Sequence, residues 1–190
     1  MGWNFHGYKT GTTIIVKNLQ DIWGESGKIN MKPLQFECLW RKEPSGELIQ
    51  VTEMWQKYGA LEGEDLVQKR SKEIVYIIKN EEGNVGGVST ARPVQAKFLN
   101  DHYFYEFRCF IAPPFRAPGL DTLLAIKTKS FLEELEGSSS KFKGMLMIIE
   151  NEMLKKQRTK AIWPSSEMVF AGYTSKGHHI RVGYFKGARI

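Results

Sequence analysis

The sequence predicts an α+β or α/β protein built on a single mixed β-sheet flanked by helices, and three observations point there. Segments with the two-residue period of strands alternate along the chain with segments of helical period. One strand, helix, strand crossover stands among shorter connections, which calls for a mixed rather than a purely antiparallel sheet. Hydrophobic residues make up 42% and charged residues 25% of the 190, values that exclude a disordered or low-complexity chain and allow a core without a disulfide framework.

Residues 1–30 are rich in Gly, Asn and aromatics and hold one short apolar run, Ile14 to Val16. They read as an N-terminal extension docking through Trp3, Phe5 and Trp23, ahead of a domain over 31–190. Leu34 to Trp40 mostly alternates apolar with polar and is the first strand of the main sheet. Leu48, Val51, Trp55 and Tyr58 fall on one helical face that ends at Gly59, and a second helix covers Glu62 to Lys72. Ile74 to Ile78 is a β-branched and aromatic run closed by the turn Glu81 to Asn84, so it forms a hairpin with the VGGVST stretch that follows. Tyr103 to Ala112 is the strongest strand of the chain. Pro113 and Pro114 end it, because neither can donate to a ladder. A helix then runs from about Pro118 to Glu136, with Leu120, Leu123, Leu124, Phe131, Leu132 and Leu135 on one face. MLMII, ending at Ile149, is a buried strand, and Glu152 to Arg158 a short basic helix. Met168 to Tyr173 and Ile180 to Phe185 are the last two strands, and no internal repeat occurs.

The net charge of +6 is unevenly spread: residues 141–190 carry ten basic and three acidic side chains. A basic surface of that kind suits an anionic partner, namely a phosphorylated cofactor, an acidic peptide or nucleic acid. Aromatics do not interleave regularly with the charges, so nucleic acid is the weakest of the three. Cys38 and Cys109 lie far apart in no ligand spacing and read as reduced core thiols, with no metal site. No apolar run approaches the roughly 18 residues that span a bilayer, and the N-terminus lacks a signal core, so a cytoplasmic location is expected.

The stretch from Tyr105 to Leu135 carries the chemistry. A strand, a proline break, the turn Arg116-Ala117-Pro118-Gly119 and a helix follow one another. Such a turn aims unpaired helix N–H groups and the positive dipole end at one point, a seat for a pyrophosphate, with Gly119 letting the backbone come close. Together, Cys109-Phe110-Ile111-Ala112-Pro113 and Arg116-Ala117-Pro118-Gly119-Leu120-Asp121 resemble the acyl-CoA signature of the GNAT acetyltransferase superfamily. The element order over about 31–188 is also similar to that fold.

The resemblance implies a splayed mixed sheet with acetyl-CoA, as cosubstrate, wedged between the strand near Ile111 and the strand near Ile149. Cys109, Phe110 and Ile111 would line the pantetheine arm, and Arg116, Ala117, Gly119, Leu120, Asp121 and Thr122 would surround the pyrophosphate. Asn151 would bond the pantetheine or order its strand end, and Lys155 would meet phosphate. The reaction implied is acetyl transfer to the amine of a small molecule or peptide by direct attack, with Glu106 as base and Tyr173 as acid. Burial would raise the Glu106 pKa towards that task. Tyr184, His178 and His179 are lesser candidates, each with a structural role as its alternative, and a homodimer stays open. Asp121 stands where the family prefers Gly or Ala, and Pro118 removes one donor. Two other readings therefore remain: a catalytically degenerate binding domain of this fold, and a basic nucleic-acid-binding protein.

Overall fold

The structure, a computed structural model, describes residues 14–16, 33–42, 46–137 and 140–190. In chain order the strands are β1 (Ile14–Val16), β2 (Leu34–Cys38), β3 (Ile74–Lys79), β4 (Val85–Ala96), β5 (His102–Ile111), β6 (Phe142–Ile149), β7 (Ile162–Trp163), β8 (Met168–Tyr173) and β9 (His179–Tyr184). The helices are α1 (Gly46–Lys57), α2 (Glu64–Ser71), α3 (Leu120–Glu136) and α4 (Glu152–Gln157). The strands form one sheet in the order β1-β2-β3-β4-β5-β6-β9-β8-β7. β5 and β6 are parallel, joined by α3 as the expected crossover, whereas β1 with β2, β2 with β3, β6 with β9, β9 with β8 and β8 with β7 are antiparallel. The predicted single mixed sheet is thus present.

Within residues 1–30, Ile14–Val16 pairs with β2 from Ile14↔Phe36 to Val16↔Leu34. The docking aromatics Trp3, Phe5 and Trp23 lie outside the described residues. The strand expected to end near Thr90 continues to Ala96. β7 was not expected, since two residues are too few to show a period. Cys38 is buried as expected, but Cys109 is exposed: it lies past Phe107↔Met147, where the β5–β6 ladder ends. No helix among the described residues is long and apolar enough to cross a membrane.

The described residues divide into two compact units, one of those up to Val88 with Phe110–Arg116, the other of Ser89–Cys109 with those from Ala117 onward. In the first, α1 sets Val51, Met54 and Trp55 against Val67 of α2, Ile74 and Ile77 of β3, Val88 and Ala112. Trp55, only 2% exposed, is the largest of these, and replacing such a ring by Ala costs roughly 3–5 kcal/mol. In the second, Phe104, Leu146, Val182 and Ala96 form a core of facing strand residues. Leu120, Leu124 and Leu132 recur on one face of α3 and are fully buried, which is the burial that makes this segment helical. Thr128 of α3 stays inside because its hydroxyl meets Leu124 O at 2.8 Å and Ser89 Oγ at 2.9 Å.

Candidate functional site

The site begins where a ladder stops. β5 pairs with β6 from Tyr103↔Phe142 to Phe107↔Met147, while β6 remains paired with β9 as far as Ile149↔His179. Arg108 and Cys109 therefore run on without partners opposite Ile148 and Ile149, and the two parallel strands part. The end of β5 is held by β4 instead: Ala112 N–H donates to Gly86 O at 2.9 Å. By alternation, the N–H and C=O of Ile111 and Cys109 point away from β4. The Ile111 carbonyl accepts from Arg116 Nε at 3.1 Å, so the Arg116 side chain folds back on its own strand.

Pro113–Phe115 form a tight 3-10 turn closed by Phe115 N–H to Ala112 O at 2.9 Å and Arg116 N–H to Pro113 O at 3.2 Å. Phe115 packs over Gly86, where an added Cβ would fall 2.0 Å from the ring. Gly119 then adopts φ 80°, the left-handed region that favours glycine, and α3 starts with no side-chain cap. Leu120 N–H turns back to Ala117 O at 3.2 Å, which leaves the next amides, those of Asp121 and Thr122, at the open positive end of the helix dipole. The Asp121 carboxylate does not cap them. Both its oxygens accept from Arg158 Nη2, at 2.7 and 2.9 Å, and Thr122 Oγ1 lies 3.5 Å from one of them.

Cys109 is open to solvent yet closely surrounded, and this crowding, with the Asp121 carboxylate adding to it and Arg158 opposing, pushes its thiol up to about 12. On the opposite side of β5, Glu106 is 4% exposed. It accepts from Arg92 Nε at 2.7 Å and from Arg108 Nε at 3.1 Å, and Arg92 Nη2 closes a second contact. Burial acts to raise the Glu106 pKa, but the two guanidiniums together outweigh it and hold the carboxyl below its ordinary value. The expected upward shift is therefore reversed, because the strand neighbours that burial brings near are cations. Arg108 extends this cluster through Nη1 to Glu150 Oε1 at 3.2 Å.

The other expected residues are placed as follows. Asn151 Oδ1 accepts from Leu154 N–H at 3.0 Å and caps α4. Lys155 pairs with Glu152 one turn back, at 2.5 Å. Phe110 joins the first unit's core, with Tyr58 at 6.2 Å between ring centroids. Tyr173 is exposed and packs edge-on against Phe170 and His179. Its register, Tyr173↔His179 and His179↔Ile149, puts it two strand spacings, about 10 Å, from the end of β6.

Sequence reasoning missed Arg158, Arg92 and Glu150. Arg158 is anchored at both ends: its carbonyl accepts from Arg181 Nη2 at 3.1 Å and its guanidinium lies 5.2 Å from the Trp163 ring centre. Arg181 is itself buried, donating to the carbonyls of Lys160 and Ala161 at 2.7 and 3.0 Å under the same ring.

No family model and no curated protein sequence matches the chain. Solved structures do. The ribosomal-protein-S5-alanine acetyltransferase of Vibrio fischeri matches with a TM-score of 0.57 at 9% identity, over 83% of this chain and 96% of that one. A GNAT superfamily phosphinothricin acetyltransferase of Sinorhizobium meliloti, in complex with AcCoA, matches with 0.56 at 13% identity, over 80% and 88%. Arabidopsis thaliana NAA60, in complex with acetyl-CoA, matches with 0.52 at 11% identity, over 81% and 99%. A strand ladder that parts beside an uncapped helix start is thus set in the fold of the GNAT acetyltransferases.

Proposed function

We propose that the chain is an acetyl-CoA-dependent N-acetyltransferase acting on the amine of a small molecule or peptide. The observation that carries this reading is the parting of β5 from β6 after Phe107↔Met147. It leaves the main-chain groups of Cys109, on the side away from β4, without a β6 partner, the edge a pantetheine amide can bond. The residues present fit the rest of the cofactor. The start of α3 offers the amides of Asp121 and Thr122 to a pyrophosphate without competition from a side-chain cap. The Asp121 charge that would oppose this is neutralised by Arg158. The other enzymes of this fold crystallised with the cofactor support the same use of the scaffold.

When bound, acetyl-CoA supplies a thioester carbonyl open to amine attack and a thiolate leaving group. The protein's part is to hold this group in the slot, orient the amine and exclude competing water. Glu106, ionised at neutral pH, fixes Arg92 and Arg108 on one side of β5 and serves as a positioning residue. Its lowered pKa makes it a weak base, so the ammonium proton leaves to solvent before attack. The departing thiolate also takes its proton from solvent, since Tyr173 stands too far from Ile149 to give it.

A ligand that binds only the native state at about 100 times its dissociation constant stabilises it by roughly 2.7 kcal/mol. Acetyl-CoA and CoA should accordingly raise the melting temperature, and a panel of polyamines, amino acids and peptide N-termini should then reveal the acceptor through release of free CoA thiol. No shift at millimolar ligand would leave a degenerate domain of this fold. Oligonucleotide binding that falls steeply with salt, without any response to CoA, would favour the nucleic-acid reading.

A further inference from the structure

Two ion pairs cross the place where β5 and β6 part. Arg108 of β5 reaches Glu150, the residue after β6, on the Glu106 side of the sheet. On the Cys109 side, Asp121 in the first turn of α3 meets Arg158 at the end of α4. Each joins an element that follows or belongs to β5 with one that follows β6. The first is well exposed at both ends and, like most such pairs, holds little free energy. The second is half-buried, engages both carboxylate oxygens, and sits against the helix start to which the cofactor reading assigns the pyrophosphate.

Resting on that reading, we propose that Arg158 is a bridging residue: it neutralises Asp121 through Nη2 and, keeping that contact, presents its other N–H groups to the pyrophosphate of CoA, so that this pair sets cofactor affinity. An unneutralised carboxylate and a pyrophosphate cannot share the same helix amides without strong repulsion. Both Asp121 contacts use Nη2 alone, and a guanidinium carries further N–H donors suited to phosphate oxygens. Arg158 is held where both groups can reach it. Its carbonyl is fixed by the buried Arg181, its guanidinium lies 5.2 Å from the Trp163 ring centre, and its side chain remains 27% exposed. The fold thereby tolerates an acidic residue where the resembling signature has Gly or Ala.

The test is the dissociation constant of CoA, by calorimetry at low salt, for the parent chain, Asp121→Asn, Arg158→Gln and the double variant, with pantetheine as a probe that lacks phosphate. Arg158→Gln should weaken CoA about 10- to 100-fold, the range of one charge-assisted contact. Asp121→Asn should bind at least as tightly as the parent. The double variant should recover much of what Arg158→Gln loses, and pantetheine should bind all four alike. Binding by Asp121→Asn alone would overturn the proposal, because Arg158 would then fail to reconcile Asp121 with the pyrophosphate. CoA affinity unchanged in Arg158→Gln, or pantetheine weakened as much as CoA, would overturn the bridging role while leaving the cofactor reading in place. Absence of CoA binding in all four proteins would overturn the cofactor reading and the bridging role with it.

Discussion

Glu106 offers the sharpest internal test, because its burial and its partners act in opposite directions. Its carboxylate is 4% exposed, whereas the side chains of Arg92 and Arg108 are 37% and 41% exposed. Charge-assisted hydrogen bonds contribute about 1.5–3 kcal/mol each, and solvent access at the arginine ends reduces this towards the lower figure. Glu106→Gln keeps an acceptor oxygen and frees both guanidiniums to water, so it should cost about 2 kcal/mol at pH 7. Replacing both Arg92 and Arg108 by Ala strands the buried carboxylate and should cost more, roughly 3–5 kcal/mol. The pH dependence follows from the lowered pKa. The pair's stabilisation is complete above the unfolded value of about 4.3 and is lost as pH falls through the folded value below it. Urea unfolding of the parent, Glu106→Gln and the double alanine variant between pH 3 and 8 measures all three quantities. Equal stability of Glu106→Gln and parent at pH 7, or a carboxyl resonance titrating above the ordinary range in the parent, would refute the electrostatic reasoning and return Glu106 to candidacy as a base.

Lys127 of α3 is pushed down to about 8 by burial, so the folded chain gives up this proton before the unfolded one does. Stability should rise with pH between about 8 and 10.4, and Lys127→Met should abolish that rise in denaturation curves. Gly86→Ala would drive a Cβ into the Phe115 ring, which should cost about 1–3 kcal/mol and weaken CoA as well, since Phe115 leads into the β5–α3 loop. Gly119→Val would force a β-branched residue into φ 80°, at about 1–2 kcal/mol or more, and should remove the CoA-induced melting shift.

Most of the fold was legible because burial imposes a period. The apolar face of α3, the unbroken apolar run of β6 and the proline stop after β5 each follow from one segment's own residues. The loop proposed to seat the phosphates was legible for the same local reason, as a strand, break, turn and helix in sequence. What the sequence concealed depends on partners distant along the chain. Asp121 finds Arg158 from 37 residues away, and no pattern near either residue announces the contact. Glu106 showed itself as the single carboxylate of an apolar strand, but the direction of its pKa depended on Arg92 lying beside it on a neighbouring strand. Cys109 was read as a core thiol from residue type alone. Its exposure follows from the lost β6 pairing, which no composition reveals.

The central claim is that CoA lies in the parted β5–β6 ladder with its phosphates on the start of α3. Amide-resolved NMR of the isotopically labelled full chain, titrated with acetyl-CoA, addresses each group named above. The largest shifts should fall at the amides of Cys109, Asp121 and Thr122, together with a changed Arg158 guanidinium signal. Spectra unchanged at millimolar acetyl-CoA, or shifts confined to positions away from the β5–α3 loop and the end of β6, would contradict it.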